Sequence, residues 1–125
     1  LERPTPGHYM SPALFLARPE HRVAREEIFG PVACVLRADD FEHALALAND
    51  TPFGLCAGIC TTSLKRAMHF KRHAAVGMTM VNLPTAGVDF HVPFGGRKES
   101  SYGAREQGRY AAEFYTTVKT GYVLA

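Results

Sequence analysis

No stretch of this sequence comes near the roughly 18 consecutive apolar residues that a bilayer-crossing helix needs. Its first twenty residues hold four prolines and an early acid, so no signal peptide is expected and the cytoplasm is the expected compartment. An excess of one charge is also lacking. Fourteen Lys and Arg against 12 Asp and Glu leave a net +2, too little to indicate a nucleic-acid or membrane partner. Cysteine is scarce: Cys34, Cys56 and Cys60 are odd in number and form no Cys-x-x-Cys. They are expected to be small core side chains in a reducing cell rather than disulfide partners or metal ligands. Internal repeats and low-complexity tracts are absent too. What remains, 125 residues with 46% hydrophobic and 21% charged, suits one globular domain with a core of its own.

Proline and glycine divide the chain. Residues 1 to 12 carry three prolines and little periodicity, which predicts a loop. Val32 to Leu36 is a short apolar run suited to a strand buried on both faces. Asp39 and Glu42 have the spacing of a capping box, and Phe41, Ala44, Leu45 and Ala48 predict a helix ending near Asn49. After the turn at Thr51 to Gly54, Leu55 to Cys60 predicts a second strand. Thr62 or Ser63 caps a second helix reaching about Ala75, with Leu64, Ala67, Met68 and Ala75 on its apolar face. Gly77 suits the stop of that helix, and Met78 to Asn82 predicts a third strand. Strands joined through helices imply a parallel sheet, so the fold class is α/β. Leu83 to Ser101 is a loop long enough to be functional. A helix over Ala104 to Phe114 and a β-prone tail from Tyr115 complete the prediction.

Glu27 and Phe29 are the first candidates for chemistry. Residues two apart in an extended segment point to one side, so a carboxylate and a ring would share one wall of a cleft. A carboxylate that chelates a ribose diol and a ring that packs on a flat heterocycle suit a nucleotide cofactor, although an exposed acid beside a core Phe has the same spacing. His69 and His73 have the i, i+4 spacing that can hold zinc. Metalloprotease chemistry needs a glutamate after the first of them, and Phe70 stands there, so no metal site is expected. Lys65, Arg66, Lys71 and Arg72 read as a solvated basic helix face.

The string Ala24-Arg25-Glu26-Glu27-Ile28-Phe29-Gly30-Pro31-Val32 closely resembles a signature of the aldehyde dehydrogenase superfamily. The resemblance continues in order through Asn49 to Leu55, Gly77 to Asn82, Pro93-Phe94-Gly95-Gly96-Arg97-Lys98 and Tyr115 to Thr120. It implies that Glu27 binds the nicotinamide ribose of NAD or NADP, in preference to Glu26, and that Phe29 packs near the nicotinamide ring. It further implies that Phe94 lines the substrate tunnel, with Phe90 among the residues that shape aldehyde choice, although a purely structural Phe94 stays open. Glu106 resembles the acid assigned a part in proton relay. Ala104 separates Gly103 from Arg105 where the family has glycine directly before arginine, so a carboxylate satisfied by Arg105 and backbone donors also stays open. Asn82 to Pro93 with Ser100 to Gly103 looks most like the bacterial 2-oxoglutarate semialdehyde (2,5-dioxovalerate) branch.

In such enzymes the nucleophilic cysteine, the general base and the dinucleotide-binding domain precede this region. Residues 1–114 are therefore expected to be the C-terminal part of a catalytic domain, and 115–125 an oligomerisation β-tail that makes the protein a homo-oligomer. The parent reaction implied is oxidation of a small aldehyde to a carboxylic acid through a cysteine thiohemiacetal and thioester. The isolated chain is expected to be inactive, without tight NAD(P) binding. A stand-alone binding or assembly module that kept this fold without catalysis is the alternative.

Overall fold

The computed structural model describes residues 4–125, which fall into two compact units, one ending at Leu47 and the other running from Ala48 to Ala125. In the first, β1 (Ala13–Ala17) pairs in parallel with β2 (Val32–Leu36), Ala13 opposite Val32 and Ala17 opposite Leu36. Parallel neighbours need a crossover, and the segment between them carries the short helix α1 (Arg22–Arg25). Neither β1 nor α1 was expected; both lie between the loop predicted over residues 1 to 12 and Glu26. Ala13 to Ala17 is an apolar run as long as Val32 to Leu36, but it follows Pro12 and holds no β-branched residue, so its strand signal is weaker. It becomes a strand through its ladder to β2.

Helix α2 (Phe41–Asn49) follows as predicted, with a different cap. The Asp40 carboxylate, not that of Asp39, accepts from His43 N at 2.8 Å, three residues on. Asp39 instead meets the His43 ring, Oδ2 to Nδ1 at 3.1 Å.

The second unit is built on a βαβ element. Strand β3 (Cys56–Ile59) leads through α3 (Leu64–His73) to β4 (Met78–Val81), which pairs with β3 in parallel from Cys56 opposite Met78 to Ile59 opposite Val81. Ser63 caps α3, its hydroxyl accepting from Arg66 N. The buried stripe is Ala67, Phe70, Ala74 and Val76, whereas Leu64 and Met68, expected on the apolar face, are 76% and 41% exposed. The aromatic ring at Phe70 has the larger area to bury and takes the inward position. Gly77 does not stop α3, which ends at His73 with Ala74 as its C-cap; it serves a close backbone contact described below. Asn82 closes the βαβ element. Its side chain donates to Thr61 O at 2.9 Å and accepts from Thr61 N at 2.8 Å, extending the ladder by one rung.

The helix predicted over Ala104 to Phe114 is confined to its C-terminal part. Glu106 forms an isolated antiparallel bridge, a 3₁₀ turn spans Gly108–Tyr110, and α4 covers Ala111–Tyr115. Residues 116–125 form no strand among the described residues, and Val118, Tyr122, Val123 and Leu124 are almost fully exposed. The core is thin. Ala17, Leu45, Ala67, Phe70, Ala74 and Val76 are the buried apolar residues among those described, and the cysteines are not in it: Cys34 and Cys56 are half-buried and Cys60 is exposed.

Candidate functional site

In the first unit, Glu26 and Glu27 differ in what they touch. Arg22 Nε and Nη2 each donate to one oxygen of Glu26 at 2.8 Å, one helical turn apart. This bidentate hydrogen bonding, with the guanidinium charge beside it, lowers the Glu26 pKa from the ordinary carboxylate value. Glu27 is exposed and makes no ion pair among the described residues. Phe29 is 92% exposed, and its φ of 55° lies in the left-handed region. The extended alternation assumed between Glu27 and Phe29 therefore does not hold. A bulky non-glycine residue is rare at positive φ, and such strain concentrates at functional sites. Beside this segment runs a largely apolar groove of about 450 Å³, lined by Phe15, Arg22, Val23, Glu26, Ile28 and Val32.

The other candidates lie in the second unit, and its structure brings them together. Phe94 N donates to Glu106 O at 2.8 Å and Glu106 N to Phe94 O at 3.0 Å, a reciprocal antiparallel bridge. Phe94 is half-buried. Phe90 is 84% exposed and edges against the His91 ring at 5.5 Å, while its carbonyl accepts from Gly108 N at 3.4 Å. The Glu106 side chain is exposed. Arg105 does not pair with it; its guanidinium donates to Gly96 O.

Backbone contacts fix the loop that carries Phe94. Gly54 O accepts from both Gly77 N and Arg97 N at 2.9 Å, and Gly54 N donates to Ser100 Oγ at 2.9 Å. A β-carbon on Gly77 would stand 1.9 Å from Gly95 O and 2.7 Å from Gly96 Cα. Only a glycine allows the two backbones this approach. Asn49 ties the same region together, donating to His73 O at 2.9 Å and accepting from Ala75 N at 2.7 Å.

Two features here have no counterpart in the residue reading. Gln107 is held at φ 67°, ψ 163°, a conformation that is normally glycine's, and its Oε1 is buried without a hydrogen-bond partner among the described residues. The Lys98 ammonium reaches the carbonyls of Asn49 and Thr51 at 2.7 and 2.9 Å. No short-range pattern encodes a contact across nearly fifty residues. His69 and His73, considered as a zinc pair, lie with ring centroids 4.3 Å apart. No cluster of three or more metal-ligating side chains occurs among the described residues, and no helix among them is long and apolar enough to cross a membrane.

Parallel strand pairs linked through helices, with glycine-rich loops packed backbone to backbone, place the chain among the α/β proteins. Residues 2–121 match the aldehyde dehydrogenase family, and the chain belongs to it. It is 43% identical over 118 residues to an alpha-ketoglutaric semialdehyde dehydrogenase of Bacillus subtilis, covering 94% of this chain and 24% of that protein. A counterpart from Haloferax volcanii is 44% identical over 118 residues, 93% of this chain and 24% of the relative. Among solved structures, an indole-3-acetaldehyde dehydrogenase from P. syringae in complex with NAD+ superposes with a TM-score of 0.82 at 39% identity, over 89% of this chain and 22% of that one. The chain thus spans about a quarter of the length of the relatives it matches.

Proposed function

We propose that this chain is the C-terminal part of the catalytic domain of an NAD(P)-dependent aldehyde dehydrogenase, with 1–114 in that domain and 115–125 as an oligomerisation segment. The parent protein oxidises a small aldehyde to a carboxylic acid. The observation that carries this reading is the family match over residues 2–121. The identity to alpha-ketoglutaric semialdehyde dehydrogenases makes 2-oxoglutarate semialdehyde the first substrate to try. The small set of buried apolar residues among those described supports the reading of a part.

Glu27 and Phe29 would hold the nicotinamide end of the cofactor. An unpaired exposed carboxylate suits ribose hydroxyls, and an exposed strained ring suits a flat heterocycle. When bound, NAD(P) would supply the hydride acceptor. Phe94 and Phe90 would line the aldehyde side, and Glu106 would hold a proton at its exposed carboxylate, oriented by the backbone bridge to Phe94. The cysteine nucleophile and the base belong to the rest of the parent. The protein works in the cytoplasm as a homo-oligomer, and the chain alone binds NAD(P) weakly and is inactive.

The test is steady-state assay of the full-length protein with 2-oxoglutarate semialdehyde and with betaine and indole aldehydes, following NAD(P)H formation. Substitution Glu27→Gln should raise the cofactor KM by about tenfold, the loss expected when one charge-assisted hydrogen bond is removed, and leave the aldehyde KM alone. Absence of turnover with every aldehyde would favour the non-catalytic assembly module.

A further inference from the structure

Lys98 is one of four non-glycine residues with positive φ among those described, at 54°. For a residue with a β-carbon this backbone is strained, and glycine would relieve it. What the position gains from lysine must therefore lie in the side chain. Its Nζ donates to Asn49 O at 2.7 Å and to Thr51 O at 2.9 Å. Asn49 is the last residue of α2, so the ammonium sits where the helix presents unsatisfied carbonyls and partial negative charge. A compact ammonium with three donors suits two converging carbonyls better than a planar fork does.

The neighbours of Lys98 use the same turn. Glu99 N donates to Pro52 O at 3.1 Å, Arg97 N to Gly54 O at 2.9 Å, and Gly54 N to Ser100 Oγ at 2.9 Å. Residues 97–100 are thus seated on residues 49–54, and the Lys98 side chain adds two bonds to the same segment. On the other flank of Gly95-Gly96, Phe94 is bridged to Glu106 and Arg105 donates to Gly96 O. The loop carrying Phe94 is held at both ends, one of them closed by a side chain that reaches across the chain.

We propose that Lys98 is a positioning residue for aldehyde recognition: by tying the segment after Gly95-Gly96 to the end of α2, it fixes where Phe94 stands. The proposal rests on the reading of Phe94 as a substrate-side residue. Lys98 acts through the backbone and touches no substrate.

The experiment uses the full-length parent enzyme with Lys98→Gly, Lys98→Met and Lys98→Arg. Kinetics are measured with a short and a bulky aldehyde at saturating NAD(P), and the cofactor KM is measured separately. The Gly and Met variants should raise the aldehyde KM by about tenfold to a hundredfold, as misplacement of a binding group by about an ångström does, and change the ratio of kcat/KM between the two aldehydes. Their cofactor KM should stay at the wild-type value, and Lys98→Arg should recover part of the loss. Because Lys98→Gly also relieves backbone strain, its thermal midpoint should stay near that of the wild type, which separates positioning from unfolding. An unchanged aldehyde KM and unchanged selectivity in an active Gly variant overturn the proposal, as does an equal rise in both KM values. If the wild-type parent oxidises no aldehyde, the proposed function fails instead, and amide exchange then decides the Lys98 link. Faster exchange at Arg97, Phe94 and Glu106 in Lys98→Gly supports it; unchanged exchange sinks it.

Discussion

Gly77→Ala is the substitution whose cost the geometry sets most directly. The added β-carbon meets Gly95 O at 1.9 Å, Gly96 Cα at 2.7 Å and Gly95 C at 2.8 Å. All three are backbone atoms, so no rotamer change makes room. Gly77 itself cannot retreat freely, because its amide bonds Gly54 O at 2.9 Å and the next residue bonds Leu55 O at 3.1 Å at the entry to β4. Either the β4 entry or the Gly95-Gly96 segment must shift by about an ångström. Such overpacking costs about 3 kcal/mol at the upper end of its usual range, offset by up to about 1 kcal/mol from the stiffer unfolded chain. The net loss is about 2 kcal/mol. Urea unfolding followed by circular dichroism measures it, with Gly121→Ala as the control, since a β-carbon at Gly121 meets nothing within 4 Å. A Gly77→Ala midpoint indistinguishable from that of the control would refute the close-approach argument.

Asn49→Ala removes both side-chain bonds that close the end of α3 and leaves the half-buried Ala75 amide without its acceptor, so a loss of about 1–3 kcal/mol is expected in the same urea experiment. Lys98→Gly gives up a helix-end interaction of about 0.3–1 kcal/mol and removes a left-handed strain of about 1–2 kcal/mol; stability near or slightly above wild type is expected, and a drop as large as that of Asn49→Ala would contradict it. For Glu26 the folded pKa is depressed by Arg22 below the ordinary 4.5. The stabilisation from the pair is therefore complete above that value and lost as pH falls through the lower folded pKa. Carbon-detected NMR titration should show Glu26 titrating below 4.5 and returning towards it in Arg22→Ala; an unshifted Glu26 in the wild type would remove the bidentate pair from the account.

The parts of the fold legible in the sequence are those specified by neighbours. β2, α2, α3 and β4 announce themselves through apolar runs, helical stripes and caps within a few residues. Even there the reading slips where two local solutions are close in energy. Asp39 and Asp40 both precede α2, and the carboxylate three residues before His43 is the one that reaches an amide. Phe70, 5% exposed, takes the inward face on which Leu64 and Met68 were expected. β1 has an apolar run without β-branched residues and is completed by its ladder to β2, and Glu106 is extended by its bridge to Phe94, so the local signal of each is weak.

The same distinction governs the candidate site. Motif residues can be recognised one string at a time, but their arrangement is set by contacts between strings: Gly77 against Gly95, Phe94 against Glu106, Lys98 against Asn49. Each joins segments at least a dozen residues apart and uses backbone atoms on at least one side. That explains why glycine, asparagine and lysine recur within the motifs beside the aromatics and carboxylates. Their contribution is to hold three loops at separations that larger or shorter side chains would not permit. Lys98 and Gln107 hold left-handed backbone beside these contacts in the second unit, where conformations that a free segment would avoid can persist. Relieving that strain without removing the contact should therefore leave recognition intact, whereas removing the contact should not, even when the protein stays folded.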